Sequence, residues 1–317
     1  MSTRTLGGPV AALALAALLC ALPFLLSGYH QGIASTVAIY FIAILGLNIL
    51  TGYTGQISIG HGAFMMIGGY TTVLLSHDQH WNLIATLPIA AAITFGAGLL
   101  VGVPALRLSG VYLALATFAL AVSVQQFPLK FSKFLGGSNG LQTDHAVSHL
   151  WLYGVSWACT AVAFVLAWLL LRGRIGRAFR AVRDSEIAAA SSGVSLPIYK
   201  TLAFGVSAAY AGVAGSLFVL WTNGYAQPNE FSVLLSLKIL IGAAVAGLGS
   251  LWGVAIGALF VGLLPQISGS VPVVGPAHGQ DVVFGLVVIL IMVLLPNGFA
   301  GLLWRVRSAI KTGAGSS

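Results

Sequence analysis

Charge is too scarce in this chain to cover a water-facing surface. Of 317 residues, 14 are Lys or Arg and 6 are Asp or Glu, which together make 6%; a soluble domain carries about 25%. Hydrophobic residues make up 58%, and the mean hydropathy is +0.98. The solvent that such a chain matches is lipid. Glycine fits the same conclusion. There are 40 glycines, roughly twice the usual share, and small residues let helix backbones approach closely in a bilayer. Low-complexity disorder is also glycine-rich, but its low hydrophobicity excludes it here.

A helix needs about 20 mostly apolar residues to cross the hydrocarbon core. The chain offers candidate spans at Val10–Leu26, Ile33–Leu50, Gly60–Leu75, Leu83–Leu106, Val111–Phe127, Leu152–Leu171, Thr201–Trp221, Leu234–Ala246, Leu251–Leu264 and Val282–Leu295. The third and the last three are short enough to be broken, tilted or re-entrant. The expected fold is therefore all-α, a polytopic transmembrane bundle of about 8–10 spans. Arg4 before the first apolar run resembles the start of a signal peptide, but no small-residue cleavage site follows near Leu22–Gly28, so this run is read as a span.

Charge then sets the orientation. With ten spans and the N-terminus inside, the cytoplasmic segments hold Arg4, Arg107, Arg172, Arg174, Arg177, Arg180, Arg183, Lys200, Arg305, Arg307 and Lys311, against Lys130 and Lys133 outside. Lys238 lies near the outer end of a span. This asymmetry obeys the positive-inside rule and places both termini in the cytoplasm. It also accounts for the net charge of +8 without nucleic acid as a partner; membrane lipid is the expected surroundings. The tail at 312–317 is expected to be disordered.

Several tempting features carry little. Cys20 and Cys159 lie in apolar runs and read as small buried hydrophobes. His77-Asp-Gln-His80 and Asp144-His-x-x-x-His149 fall in predicted external loops and do not make a clear ligand set, so no metal site is assigned. No nucleophile, base and orienting acid can be assembled, so the chain is not read as an enzyme. Gly98-x-x-x-Gly102 and Gly253-x-x-x-Gly257 read as helix contacts, with a partner chain as one candidate surface.

Two segments stand out. In the first, Gly52, Gly55 and Gly60 make an unbroken helix costly. Irregular backbone at membrane depth is tolerated where it is buried in protein or lines a cavity. Asn48, Tyr53, Gln56, Ser58 and His61 supply polar groups beside this break. They are candidates for a translocation pathway, or else they merely satisfy one another and the broken backbone. Gly55–Gly60 has a weak echo in Gly249–Gly253, of the kind that internally repeated transporters show.

The second segment, 172–200, is long, strongly charged and flanked by good spans. Gly176–Gly193 reads as one helix, with Arg180 and Asp184 at i,i+4 and Gly193 placed for a left-handed cap. Ser195 would cap the next helix, with Pro197 in its first turn. A basic loop touching anionic lipid explains the arginines. It does not explain the small-sided Ala188-Ala-Ala-Ser-Ser-Gly193 surface, which suits docking in a groove.

This segment resembles the cytoplasmic coupling loop of ABC-importer permeases, whose pattern is Glu-Ala-Ala-x-x-x-Gly. Here the window is Ile187-Ala-Ala-x-x-x-Gly193, with Glu186 one place early. The stretch Gly46–Phe64, with Gly110–Phe118, Gly137–Gly140, Arg177–Gly193 and Gly247–Gly253, resembles branched-chain amino acid permeases in order and spacing. The resemblance covers most of the chain. It implies a single transmembrane permease domain over residues 1–317, with 172–200 as its coupling loop. It also implies a bacterial cytoplasmic membrane location and a heteromeric importer. The implied partners are a second homologous permease, two ABC ATPase subunits and an extracytoplasmic solute-binding protein.

The lysines, at 130, 133, 200, 238 and 311, never follow Gly, so a phosphate-binding loop is absent from the sequence. No cofactor is expected on this chain, and ATP would be used by the partners. Arg177, Arg180, Arg183, Asp184, Glu186, Ala189 and Gly193 are the implied ATPase-coupling residues. Expected cargo is branched-chain or other apolar amino acids, moved by alternating access; urea, short amides or another small solute are the alternative. An ion-coupled secondary transporter fits less well, since the spans are nearly free of the acids that such coupling uses.

Overall fold

A computed structural model describes residues 27–78, 81–143, 147–268, 285–290 and 293. The candidate span Val10–Leu26, most of Val282–Leu295, His80, Asp144, His145 and the 312–317 tail lie outside these residues. Helix α1 (Gly28–Leu47) runs into a wide π turn, Asn48–Gly52. It is followed by α2 (His61–Asp78), α3 (Leu83–Ala105) and α4 (Val111–Lys130). Then come α5 (His149–Arg172), α6 (Arg174–Asp184), α7 (Glu186–Ser191), α8 (Leu196–Trp221), α9 (Val233–Ala246) and α10 (Gly253–Ser268). The fold is an all-α bundle. Its described strands are two-residue pieces, β1 (Leu141–Gln142) and β2 (Tyr225–Ala226), paired antiparallel between two loops at one end. Among the described residues, six helical segments are long and apolar enough to cross a membrane.

Burial inverts the soluble pattern. Leu100 and Val103 on α3, Val111, Tyr112 and Leu115 on α4, and Val162, Leu166 and Leu169 on α5 all point outward. An apolar exterior over several helices is the face that a lipid-embedded or subunit-contacting protein presents. Helix α1, by contrast, is buried from Ser35 onward and forms the centre with α8.

Glycine sets how closely these helices cross. Gly98 and Gly102 do not face a partner chain: a Cβ on Gly98 would lie 2.5 Å from that of Ala208, and one on Gly102 3.1 Å from Thr201 Cα, both on α8. A Cβ on Gly257 would collide with the Gly242 carbonyl, so this motif joins α10 to α9 within the chain. Gly68 on α2 and Gly215 on α8 form a close crossing, where the Gly212 and Met65 backbones fill the space that a methyl would need, while Gly212 itself faces the Thr94 side chain on α3.

Candidate functional site: the broken helix and its clasp

The break in the first described span is not a simple gap. Helix geometry persists through Gly52 as a π turn and on to Thr54, and residues 55–60 then run without helical structure to the start of α2. Gly55 takes φ +73°, a conformation that glycine adopts without strain. Gly52 serves differently. It sits inside the turn, where a Cβ would collide with Asn48 Oδ1 and the Gly249 amide.

Five elements hold this break. Asn48 Nδ2 donates to the Ser250 carbonyl (2.9 Å), and the Gly249 amide donates to Asn48 Oδ1 (2.8 Å). The two glycine segments that echo each other in sequence are thus neighbours in space. The Ile59 amide donates to Thr117 Oγ1 on α4 (2.9 Å), and the Gly62 amide to Ser236 Oγ on α9 (2.9 Å). Gln56 Nε2 donates to Thr54 Oγ1 (3.0 Å) and at longer range to the Lys200 carbonyl on α8 (3.5 Å). Arg183 Nη1 on α6 donates to the Gly52 carbonyl (3.1 Å).

The polar candidates beside the break are therefore buried. Asn48 and Ser58 are fully enclosed, and Tyr53, Gln56 and His61 nearly so. Tyr53 meets the Leu251 backbone, and Ser58 Oγ accepts from the Gly60 amide (3.3 Å). In this conformation these side chains brace the broken backbone. His61 differs: neither ring nitrogen has a protein partner, and Ser207 Oγ also lacks one. The two residues are close, since a Cβ on Gly46 would lie 3.4 Å from His61 Nε2 and 2.9 Å from the Ser207 carbonyl. Buried polar atoms without partners are rare and call for a reason.

The charged segment departs from a single helix. It splits at Ser185, which is extended (φ −165°, ψ 115°) and accepts from the Ala188 amide to cap α7. A serine that can cap competes with helix continuation. Gly193 takes φ +81°. The Val194 amide bonds the Ala189 carbonyl and the Gly193 amide that of Ala190, both at 3.0 Å, which is a Schellman ending. Ser195 begins α8 without a side-chain cap.

Asp184 pairs with its neighbour Arg183 (3.0 Å), while Arg180 Nη1 donates to the Leu171 carbonyl (3.3 Å), so the i,i+4 pair expected from spacing is not the one formed. Glu186 Oε1 meets Lys200 Nζ at 2.6 Å; the lysine is buried and the carboxylate half-exposed. Ala189 is 2% exposed and packs inward against this chain. Arg177, Arg183, Asp184, Glu186 and Gly193 are exposed, and Arg180 is half-buried. Ile187, at 83%, is an exposed apolar side chain that reading by residue type missed.

A family model described as branched-chain amino acid transport system / permease component matches residues 29–292. The chain is similar to the high-affinity branched-chain amino acid transport system permease protein LivM of Escherichia coli K12. Identity is 33% over 279 residues, which is 78% of this chain and 65% of that protein. It is also similar to LivH of the same description from Salmonella typhimurium, at 26% over 286 residues, covering 83% and 91%. A third relative is the autoinducer 2 import system permease protein LsrC of Salmonella paratyphi B, at 24% over 220 residues, covering 66% and 62%. This chain thus spans just under two thirds of the LivM protein's length. No solved structure matches it significantly. With the family model covering most of the chain, and an apolar bundle built around a braced break, the protein belongs to the branched-chain amino acid transport system permease family.

Proposed function

We propose that this chain is the membrane-spanning permease subunit of an ATP-driven importer for branched-chain or other apolar amino acids. It pairs with a second permease, and two ATPase subunits and an extracytoplasmic binding protein complete the machine in the bacterial cytoplasmic membrane. ATP is used by those ATPases, and this chain binds no cofactor of its own. Both termini and α6–α7 face the cytoplasm. The observation that carries the reading is the mechanical continuity of α6–α7. Their outer face offers Ile187, Ala188, Ala190 and Gly193 to a partner, while Glu186–Lys200 and Arg183–Gly52 tie the same segment to α8 and to the broken helix. A push on α7 reaches the pathway elements directly. The closed, braced break is one access state, and closure of the ATPase pair drives the other.

The test is reconstitution with the partner subunits in proteoliposomes. ATP-dependent uptake of isotopically labelled leucine or isoleucine is expected, with a single cysteine at Ile187 reacting only with reagent on the ATPase side. Uptake of urea or a short amide in place of the amino acids would move the cargo assignment. Uptake that ignores ATP and follows an ion gradient would overturn the reading.

His61 gives a second expected outcome. A buried unpartnered polar group costs about 1–3 kcal/mol, so His61→Leu raises the melting temperature of the purified protein. If its nitrogens serve the state that is open to solute, the same variant lowers uptake about tenfold. Lower stability with undiminished uptake would reverse the assignment and make His61 a structural residue.

A further inference from the structure

We propose that Arg183 and Asn48 are positioning residues of a clasp that holds the end of the broken helix and the loop that follows it, residues 48–60, to the loop at 247–252, at the α6 end of the bundle. Withdrawal of Arg183 by α6 opens it. This rests on the import reading for its purpose, but not for its geometry.

The clasp follows from where donors and glycines sit. At the end of this turn the Thr51 and Leu50 carbonyls take the Gly55 and Gln56 amides, and a cation is favoured at the carbonyl end of a helix. Arg183 supplies it, through Nη1 to the Gly52 carbonyl. Asp184 accepts from Arg183 Nε at 3.0 Å and lies 3.0 Å from Nη2, which orients the guanidinium. That pair is exposed and adds little by itself; what it fixes is direction.

The arginine also lies over the second loop. A Cβ on Gly249 would sit 3.1 Å from Arg183 Nη1 and 3.2 Å from the Gly52 carbonyl, and one on Gly55 3.4 Å from Arg183 Cγ. Gly249 has φ +82°. Asn48 closes the seam from beneath, with both amide atoms committed to the Gly249–Ser250 backbone. Tyr53 adds its contact with Leu251.

The hydrogen bonds of the seam are polar contacts over glycine backbone, while Tyr53 and Leu251 pack toward the core beside it. Ile57 and Leu248 are 41% and 51% exposed and point away. A contact made of a few hydrogen bonds over glycine backbone can be broken and remade, whereas an interdigitated apolar contact would resist. The handle is α6. Its Ala178, Phe179 and Val182 are buried against the bundle while Arg183 stands at its end, so a tilt of α6 withdraws the guanidinium from both loops at once.

The experiment places spin labels at Ile57→Cys and Leu248→Cys, with Cys20 and Cys159 replaced by Ser, in the assembled transporter in nanodiscs. Without nucleotide, a single narrow distance is expected. Arg183→Ala raises the ratio of long to short distances about tenfold or more, the change that losing a charge-assisted hydrogen bond brings. Asn48→Ala does the same from the other side. Arg183→Lys, which keeps a donor and the charge, shifts the ratio less, and Arg174→Ala leaves it unchanged. ATP with vanadate gives the unsubstituted transporter the same long distance.

A purely structural cap would show no nucleotide response. Unchanged distances in Arg183→Ala or in Asn48→Ala overturn the clasp, as does a nucleotide-insensitive distance in the parent. Should Arg183→Ala fail to purify as a monodisperse species, Arg183→Lys and Asn48→Ala carry the test. None of these readouts needs the cargo, so a failed clasp leaves the import reading standing, and failed amino-acid uptake leaves the clasp standing.

Discussion

Gly215→Val should abolish recovery of folded protein, while Gly96→Val and Gly154→Val should be recovered nearly as well as the parent. All three are helix-interior glycines in apolar spans and look equivalent in sequence. Their surroundings differ. A Cβ on Gly215 would collide with the Met65 carbonyl and lie 2.6 Å from Met65 Cα, whereas one on Gly96 or Gly154 meets nothing within 4 Å. Overpacking usually costs about 1–3 kcal/mol when side chains can shift. Here the obstacle is the backbone of α2, which Gly68 and Gly69 already bring as close to α8 as it can come, so the cost reaches or exceeds the upper end of that range. Losing this crossing separates α2 from α8 and removes the support of His61 at the start of α2. The measurement is monodisperse yield after detergent extraction, with thermal melting of whatever survives. A Gly215→Val protein that melts within a few degrees of the parent would show that α2 and α8 do not cross there.

That contrast marks the boundary of what the sequence could tell. Span positions were legible because hydrocarbon thickness imposes a length and a composition on every crossing. Thus Leu83–Leu106 and Leu234–Ala246 fall within a residue of α3 and α9, whereas the third candidate forms the 18-residue α2 but is not among the described helices long and apolar enough to cross a membrane. The break was legible because Gly52, Gly55 and Gly60 lie so close together. What each glycine faces was not, since that depends on a residue far away in the chain: Gly98 and Gly257 turned out to pack within the protein. Asn48 was visible as a buried polar residue, but its partners Gly249 and Ser250 are about 200 positions on. Arg183 read as one ATPase-coupling arginine among several, because its bond to the Gly52 carbonyl leaves no local pattern. The split at Ser185 had a local signal, a serine three residues before Ala188, yet it was outweighed by helix-favouring neighbours; a serine can cap as readily as it can continue a turn. Ala189 fell into the docking set by motif alone, and its burial was not legible from the motif.

Gly193→Val should cut uptake about tenfold while leaving membrane insertion and most ATP hydrolysis intact, and Gly193→Asn should recover much of the loss. The argument rests on two features of this glycine. Its φ of +81° lies in the left-handed region, which costs a residue bearing a Cβ roughly 1–2 kcal/mol and a β-branched one more. Its surroundings are open, with nothing within 4 Å of an added Cβ. The penalty is therefore conformational and not steric, and asparagine, which tolerates this backbone, escapes most of it. Without the Schellman bonds from Val194 and Gly193 to Ala189 and Ala190, the end of α7 unwinds and its face no longer presents Ile187 and Ala190 as one surface. Ala189 is the buried residue of α7, and the contacts among the membrane-spanning helices are untouched, which is why insertion survives. The ATPases retain their own chemistry but push on a loose segment, so hydrolysis ceases to drive transport. Uptake and phosphate release measured on the same proteoliposomes give the ratio that decides. Equal loss in Val and Asn variants would mean that bulk at residue 193 matters and backbone geometry does not, and a normal ratio in the Val variant would remove α7 from the coupling path.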